Sequence, residues 1–368
     1  MEASPSSTNY GPIRLATLVE VSGKENPYLN LLYSERNKGT LRFEKWPGIR
    51  FRWFLRRKVR DDVLHLHWPS YYYSGPRRLR FVWRIMVHSL FLLLVRLRGT
   101  KVIWTMHNLY PHDMKYQRLE WVGRVATLAF TNAVIAHDEK MLEAVRREFV
   151  FRRPGFVLPL MSYVGEYPDE VTKDAARKRL QISDDAFVYL AFGWVRPYKG
   201  IELILEAFRR VRRPGDRLII AGDPIPKSYG KQLDQMIGTD SQVIRMFQFI
   251  PHSDVQVLFK ASNVAVLASA ERFNSAAAML ALSFGRPILA PSKCVPPSIE
   301  TGVAAFIYDP DSPGELERAM REAPSKFVED RADDIRRTIA DRSPEAIAER
   351  FISILQKVCG RSTEDNAK

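Results

Sequence analysis

Short apolar runs alternate with longer amphipathic segments along the chain. In the first half, apolar runs predict strands, and segments with apolar residues every three or four positions predict helices. The predicted strands span 13–21, 63–67, 102–106 and 133–136, and the predicted helices span 27–37, 77–98, 120–131 and 139–149. This alternation favours an α/β fold with a parallel sheet.

The second half begins the alternation again. The predicted strands span 187–192, 217–221, 243–247, 264–267 and 287–290, and the predicted helices span 201–211, 275–284 and a last segment starting at Ser343-Pro344. Two such series of similar size predict two Rossmann-like domains facing each other across a cleft. The expected division is 1–12 (a disordered N-terminal segment), 13–165, 166–342, and 343–368 (a helix that packs back on the first domain, and a tail).

The chain is strongly basic, with a formal net charge of +14, and its 46% hydrophobic content supports a core in each domain. Excess Lys and Arg favours anionic partners. The basic residues concentrate in 49–60 and 77–98, where they alternate with Trp, Phe and Leu. Such a surface favours an anionic membrane, with a structural helix carrying solvated arginines as the alternative. No nucleic-acid fold signature accompanies it, so no nucleic-acid partner is expected.

Several sequence features limit the compartment and the chemistry. Cys294 and Cys359 cannot form a disulfide framework, which is typical of a reducing compartment. No signal-peptide pattern is visible at the start. The apolar run 85–95 is shorter than the roughly 20 residues of a spanning helix. We therefore expect a cytoplasmic protein, peripheral on the inner face of the cytoplasmic membrane. His65 and His67 lack nearby carboxylates or cysteines, so neither metal nor cofactor is expected.

The segment after the predicted strand 187–192 carries the strongest chemical signal. Gly193 ends the strand, and Arg196 and Lys199 follow before the helix 201–211. Ligands of open α/β sheets bind outside the carboxyl ends of the strands. Two cations there would hold a diphosphate and stabilise it as a leaving group. The alternative is that both are solvated loop residues.

Two further turns point to the same edge. Glu271 lies just before Asn274 and Ser275, either of which can cap the following helix of small residues. The amides of that helix would form an anion site, and Glu271 would accept hydrogen bonds from sugar hydroxyls. Gly222 ends another strand and suits a backbone wall beside a nucleotide. A capped core helix is the structural alternative for 271–278.

Together with 284–288 (Phe-Gly-Arg-Pro-Ile), these turns resemble those of the retaining GT-B glycosyltransferases of family 4. The resemblance covers about 185–310 well and the first half loosely. It implies a nucleotide-sugar donor, with Arg196 and Lys199 on its diphosphate and Glu271 near its sugar. One position departs from the family pattern: Met279 stands where a glutamate holds the donor ribose.

The stretches 274–276 and 280–287 are similar to a subgroup of bacterial exopolysaccharide enzymes that includes β-mannosyltransferases. This similarity favours GDP-mannose as donor and a lipid-linked or polysaccharide acceptor. Because some members of the subgroup invert the anomeric centre, retention and inversion both remain open.

The first half is expected to hold the acceptor. Gly23, Asn26 and Tyr28 follow the first strand, where the matching loop of GT-B enzymes lies over the reaction centre. Trp68, followed by three tyrosines, suits stacking on a sugar, with core packing as an equal alternative. Relatives carry a histidine at the position of His107 that touches the donor sugar.

Asp113 would accept the proton of the acceptor hydroxyl if the reaction inverts. The alternative for its segment is a Pro-turned loop with a capping Asp. Asp138 is expected to cap the helix 139–149. The sequence thus predicts a hexosyltransferase. The alternative is a non-catalytic GT-B relative that binds glycan or nucleotide, with Met279 as its main support.

Overall fold

The computed structural model describes residues 11–19, 27–33, 39–111, 114–269, 275–292, 294–295, 299, 302–327 and 331–361. It divides into two compact units: Met1–Pro159 with Pro344–Lys368, and Leu160–Ser343. The chain therefore passes between the units at Pro159 and again at Ser343, compared with predicted boundaries after residues 165 and 342.

The described part of the first unit contains a six-stranded parallel sheet in the order β2-β1-β3-β4-β5-β6. Its strands are β1 (Ile13–Thr17), β2 (Leu41–Lys45), β3 (Val63–Leu66), β4 (Lys101–Thr105), β5 (Ala133–Ala136) and β6 (Gly155–Val157). β3 and β5 are buried at every position, as expected for strands covered on both faces. The strand order reverses between β1 and β3, which places a topological switch point at their carboxyl ends.

Six helices of the described first unit precede the crossing at Pro159. They are α1 (Tyr28–Leu32), α2 (Phe51–Arg56), α3 (Ser70–Tyr73), α4 (Arg78–Leu97), α5 (Gln117–Phe130) and α6 (Glu139–Phe149). Asp138 caps α6, since its carboxylate accepts the Met141 N–H at 2.7 Å, which confirms the predicted capping role. No helix in the described ranges combines the length and the apolar character that crossing a bilayer requires.

The second unit has a six-stranded parallel sheet within its described residues, in the order β12-β11-β10-β7-β8-β9. The strands are β7 (Val188–Phe192), β8 (Arg217–Ala221), β9 (Val243–Met246), β10 (Val264–Val266), β11 (Ile288–Pro291) and β12 (Ala305–Tyr308). The helices are α7 (Lys173–Arg179), α8 (Ile201–Val211), α9 (Lys227–Ile237), α10 (His252–Ala261), α11 (Ala276–Ser283), α12 (Glu315–Lys326) and α13 (Ala332–Arg337). The order has the Rossmann pattern, with its switch point between β7 and β10.

The C-terminal helix α14 (Pro344–Cys359) belongs to the first unit. The ring of Phe351 on α14 stacks on His65 of β3, with centroids 5.1 Å apart, and lies 6.1 Å from the ring of Tyr33. The final helix thus covers the side chains at the carboxyl end of β3.

Candidate functional site

The switch point of the second sheet brings together segments that are far apart in sequence. Gly193, Arg196 and Lys199 follow β7, and residues 267–269 and Ser275 follow β10. Because β7 and β10 are hydrogen-bonded parallel neighbours, both segments leave the same edge of the sheet. This edge is the usual ligand site of the fold.

Lys199 is fixed over the end of β7. It closes the 3₁₀ turn Pro197–Lys199, and its backbone N–H donates to the Arg196 carbonyl at 3.0 Å. Its ammonium donates to the Phe192 carbonyl at 3.5 Å. Gly193 has a φ of +99°, and a Cβ there would lie 3.0 Å from the Lys199 ammonium. Glycine at 193 therefore leaves room for the cation at the strand end.

Ser275 caps α11 at the same pocket. Its buried hydroxyl accepts the Ala278 N–H at 3.3 Å. Lys199, Ser269, Ser275 and Ala277 line one pocket, together with apolar side chains of β7, α8 and β10. A cation and a helix N-terminus thus border one cavity, a combination that favours an anionic ligand.

A cysteine lines the same pocket, and sequence reasoning did not place it there. Cys294 is buried, and its thiol donates to the Ser269 carbonyl at 2.9 Å. The contact depends on how the segment after β11 folds back toward β10, which no local pattern reveals.

The structure shows which residue types fit at positions 222 and 279. A Cβ on Gly222 would lie 2.2 Å from the Gly193 carbonyl oxygen, so the turns after β7 and β8 approach too closely for any side chain there. Met279 is only 2% exposed. The position of the family glutamate is thus occupied here by an apolar side chain buried in α11.

Five of the predicted site residues lie outside the described residues, and their placement stays a prediction. They are Gly23, Asn26, Asp113, Glu271 and Asn274.

The first sheet carries a cluster of histidines at its carboxyl edge. In the described residues, His65 lies in β3, His67 follows β3, His107 follows β4 and His137 directly follows β5. Because β3, β4 and β5 are adjacent in the sheet, these side chains come together. Of the four, sequence reasoning assigned a site role to His107 alone.

These histidines and Tyr33 form a continuous chain of hydrogen bonds, here called the histidine relay. His137 Nε2 lies 3.0 Å from His107 Nδ1, and His107 Nε2 lies 3.0 Å from His67 Nδ1. The Tyr33 hydroxyl lies 2.5 Å from His67 Nε2 and 2.7 Å from His65 Nδ1. Both ring nitrogens of His107 are therefore engaged by neighbouring histidines.

The relay histidines are neutral at pH 7. Burial, which disfavours the charged form, is the main cause that lowers the pKa of all four rings. The pKa of His65 falls to about 3. The rings are linked one after another by hydrogen bonds, directly or through Tyr33. Among the described residues, no three His, Cys, Asp or Glu side chains are arranged to hold a metal ion.

Two other predicted site residues contact His107. The Trp68 ring stacks on the His107 ring with centroids 4.6 Å apart and an interplanar angle of 19°. The Tyr28 ring meets His107 edge-on at 5.6 Å and His137 at 5.8 Å. The structure therefore brings Tyr28, Trp68 and His107 together at one edge of the first sheet.

A buried ion pair on α5 holds the loop that follows His107. The Arg124 guanidinium lies over the Tyr110 ring at 5.6 Å and donates to the Asn108 carbonyl at 3.3 Å. Glu120 lies 3.3 Å from Arg124 and accepts the Tyr73 hydroxyl at 2.7 Å. Sequence reasoning missed both, since nothing in the helix pattern marks a charged pair as buried.

Acidification is expected to destabilise the first unit. Because the folded unit lowers the pKa of the relay histidines below 6.5, the unfolded chain binds more protons below that pH. The free energy of unfolding therefore has its full value above about pH 6.5 and decreases as the pH falls below that value. The slope is about 1.4 kcal/mol per pH unit for each proton bound only by the unfolded chain.

Tryptophan fluorescence can measure this effect, because six of the seven tryptophans lie in the first unit. We expect the fluorescence-detected melting temperature to fall by several degrees between pH 7 and pH 5. A melting temperature that stays constant over this range would contradict the neutral relay.

Comparisons with known proteins agree with the geometry of the second unit. Residues 186–326 match the family model "Glycosyl transferases group 1". The chain is 27% identical over 277 residues to GDP-mannose:glycolipid 4-beta-D-mannosyltransferase of Xanthomonas campestris, covering 72% of this chain and 70% of that protein.

Solved structures share the fold at lower identity. Sucrose-phosphate synthase from Thermosynechococcus elongatus has a TM-score of 0.75 at 16% identity, covering 96% of this chain and all of that chain (100%). The Anabaena protein HepE in complex with UDP-glucose has a TM-score of 0.69 at 15% identity, covering 94% of this chain and 100% of that one. From the two parallel sheets, the family match over 186–326 and these relatives, we conclude that the chain is a glycosyltransferase of the GT-B fold.

Proposed function

We propose that the chain transfers a hexose from a nucleotide sugar to a lipid-linked or polysaccharide acceptor, with GDP-mannose as the favoured donor. The observation that carries this proposal is the pocket at the switch point of the second sheet, where the Lys199 ammonium and the N-terminus of α11 border one cavity. The similar Xanthomonas protein is named for GDP-mannose and a glycolipid, and HepE was solved with UDP-glucose. Both names support a nucleotide-sugar donor.

The donor diphosphate is proposed to bind Arg196 and Lys199. As the bond from the sugar carbon to the phosphate oxygen breaks, its electron pair goes to the diphosphate, where negative charge grows. Fixed cations and helix amides aimed at that charge stabilise the transition state. In this proposal Gly193 and Ser275 border the phosphates, Asn274 lies beside them, and Gly222 keeps the adjoining turns close. We propose that these cations neutralise the diphosphate without a metal ion.

The stereochemical course is proposed to be inversion. GDP-mannose carries an α-linked sugar, and the similar Xanthomonas enzyme is named as forming a β-linkage, which requires attack from the opposite face. An inverting reaction needs a base for the acceptor proton, and Asp113 is our choice. Glu271 and His107 are proposed to contact the donor sugar. In a retaining reaction the leaving phosphate would take that proton instead.

The acceptor is proposed to bind at the carboxyl edge of the first sheet. Trp68, which is half-buried, supplies aromatic surface there and is fixed by its stacking on His107. Tyr28 is buried and contacts His107 edge-on, so in this proposal it supports the acceptor site from behind. Gly23 and Asn26 precede α1 in sequence and complete the proposed acceptor loop. An aromatic ring face that lies beside polar side chains held in fixed positions is suited to binding a sugar ring.

The acceptor is proposed to be reached at the inner face of the cytoplasmic membrane, through α4. The outer face of this 20-residue helix exposes a stripe of apolar side chains, although its other face is already buried. The stripe residues, 39% to 87% exposed, are Leu79, Val82, Trp83, Met86, Leu90, Leu93 and Leu97. Most are spaced three or four residues apart, which places them along one side of a helix about 30 Å long.

Basic side chains surround this stripe. Arg77, Arg78 and Arg80 are exposed at the start of α4, and residues 77–98 contain no acidic side chain. α2 packs beside α4 through Phe54 and Phe91, whose centroids are 5.3 Å apart. On α2 and the segment after it, Arg52, Arg56 and Lys58 are exposed. Apolar insertion combined with cationic flanks is typical of helices lying in an anionic interface.

The membrane proposal predicts a measurable loss of vesicle binding. The triple variant Trp83→Ser, Met86→Ser, Leu90→Ser should bind anionic phosphatidylglycerol-containing vesicles at least about tenfold more weakly, because each lost apolar contact costs about 1–3 kcal/mol. The variant Arg52→Glu, Arg56→Glu, Lys58→Glu should weaken binding most at low salt. Sedimentation measures both.

The matched control is Leu203→Ser, which changes an exposed leucine of α8 in the second unit and should leave binding unchanged. Arg57 is kept, since it pairs with Glu44 and Asp61 and its replacement would disturb the fold. Equal binding of the unaltered protein to neutral and anionic vesicles would exclude the proposal.

A panel of nucleotide sugars tests the donor. The true donor should raise the melting temperature at concentrations above its Kd by mass action, and GDP-mannose is expected to exceed GDP-glucose and UDP-glucose. The non-catalytic alternative, supported by Met279, predicts the same thermal shift without donor turnover. Stabilisation by no nucleotide sugar would remove the proposed donor site.

A further inference from the structure

The histidine relay ends at two groups of different chemistry. At one end, His137 Nδ1 lies 2.9 Å from the Leu158 carbonyl oxygen. At the other end, His65 Nε2 lies 2.7 Å from Thr105 Oγ1. A carbonyl oxygen can only accept a hydrogen bond, whereas a hydroxyl can donate or accept. The carbonyl therefore sets the direction of every hydrogen bond in a neutral relay.

The direction follows ring by ring from His137. His137 must donate from Nδ1 to the Leu158 carbonyl, so as a neutral ring it accepts at Nε2. His107 then donates from Nδ1 to His137, and its Nε2 accepts. His67 in turn donates from Nδ1 to His107.

The hydrogen bonds keep the same donor-to-acceptor direction as far as Thr105 at the other end of the relay. The Tyr33 hydroxyl donates to His67 Nε2, and its oxygen accepts the Nδ1–H of His65. His65 Nε2 then accepts the Thr105 hydroxyl. All four rings therefore carry their proton on Nδ1, and every nitrogen has a partner of the right kind.

We infer that His67 and His137 are positioning residues, which hold His107 neutral, in its Nδ1–H tautomer, with both ring nitrogens engaged. The inference rests on the proposed function, in which His107 contacts the donor sugar. A ring held in this way has no free lone pair for the proton of the acceptor hydroxyl. In the proposed inverting reaction that proton passes to a carboxylate, and Asp113, which follows His107 in the sequence, is the proposed acceptor.

The surroundings of His107 support a role in orientation. Trp68 stacks on one face of the ring, and Tyr28 abuts its edge. Arg124 anchors the following loop through the Asn108 carbonyl. These contacts leave the ring one orientation, and orientation at a reacting centre is worth large factors in rate.

Nitrogen-15 NMR of the histidine side chains tests the tautomer directly and requires no catalytic turnover. In the uniformly labelled full-length protein at pH 7, His65, His67, His107 and His137 should each show a protonated Nδ1 and an unprotonated Nε2. A protonated Nε2 or an imidazolium at His67, His107 or His137 would overturn the inference. Assignment can use single-residue replacement of each ring in turn.

Two variants test positioning by function. His137→Leu removes the acceptor of the His107 Nδ1–H and should lower kcat by about tenfold to a hundredfold. His137→Gln retains a carbonyl oxygen near the former Nε2 and should restore activity to within a fewfold of the unaltered enzyme, with His107 still protonated on Nδ1. Equal losses in both folded variants, with an unchanged His107 spectrum, would overturn the positioning role.

These measurements separate the two proposals. If the protein transfers no sugar, the proposed function fails, and the NMR result still decides whether the relay is ordered. If transfer occurs and the rings show the other tautomer, the proposed function stands and the positioning inference fails.

Discussion

Replacing Lys199 by alanine is expected to lower sugar transfer by about a hundredfold or more. The ammonium lies at the end of β7, at the pocket that the N-terminus of α11 also borders. Charge develops on the diphosphate as the bond to the sugar breaks, and removal of one fixed stabiliser of such charge typically costs 10²- to 10³-fold, or roughly 3–4 kcal/mol. Arg196→Ala should behave similarly. Steady-state kinetics with saturating acceptor gives the values.

A matched control separates the site from general charge loss. Arg210→Ala on α8 removes a cation from an exposed pair with Glu317 of α12 in the same unit. The activity of this variant should match that of the unaltered enzyme. Both Lys199→Ala and Arg196→Ala should melt normally, because they change a surface turn. Near-normal transfer by both would remove the proposed diphosphate site.

Asp113→Asn is expected to lower transfer by about 10²- to 10⁴-fold if the reaction inverts, the usual contribution of a general base. Amide for carboxylate preserves size, so donor binding should be unchanged. Retention makes a different prediction: Asp113→Asn would have a mild effect and Glu271→Ala a severe one, because the leaving phosphate then takes the proton. Donor affinity by calorimetry and product formation by chromatography distinguish these outcomes.

The control for this experiment is Asp138→Asn, which alters a carboxylate with a defined capping role at α6. An asparagine side chain also caps helices, so little loss is expected. If Asp113→Asn stays active while the product is inverted, another group must accept the proton.

The sequence correctly predicted those helices and strands that are defined by the hydrophobic pattern of their own residues. β5 has the predicted bounds, and so do the amphipathic helices α6 and α8. The edge strand β2 (Leu41–Lys45) was missed because it carries alternating charged side chains. α1 is shorter than the predicted 27–37, since Tyr33 already lies beyond the helix and bonds to histidines across the sheet.

The candidate site likewise contains residues that the sequence could predict and residues that it could not. Residues in the turns after strands, such as Lys199 and His107, could be identified because strand ends can be recognised in the sequence. The histidine relay could not, because it depends on the register that places β3, β4 and β5 side by side. A usable signal did exist: His67 is the last residue of a predicted strand, and His107 and His137 each directly follow one.

The most direct test of the central claim is donor-dependent transfer followed to its product. The purified protein, given GDP-mannose and a membrane-derived lipid-linked glycan acceptor, should release GDP and form a mannosylated lipid in equal amounts. The coupling constants of the new anomeric carbon and proton, measured by NMR, should show a β-linkage. Stabilisation by a nucleotide sugar, with neither nucleoside diphosphate released nor any acceptor glycosylated across the donor panel, would contradict catalysis.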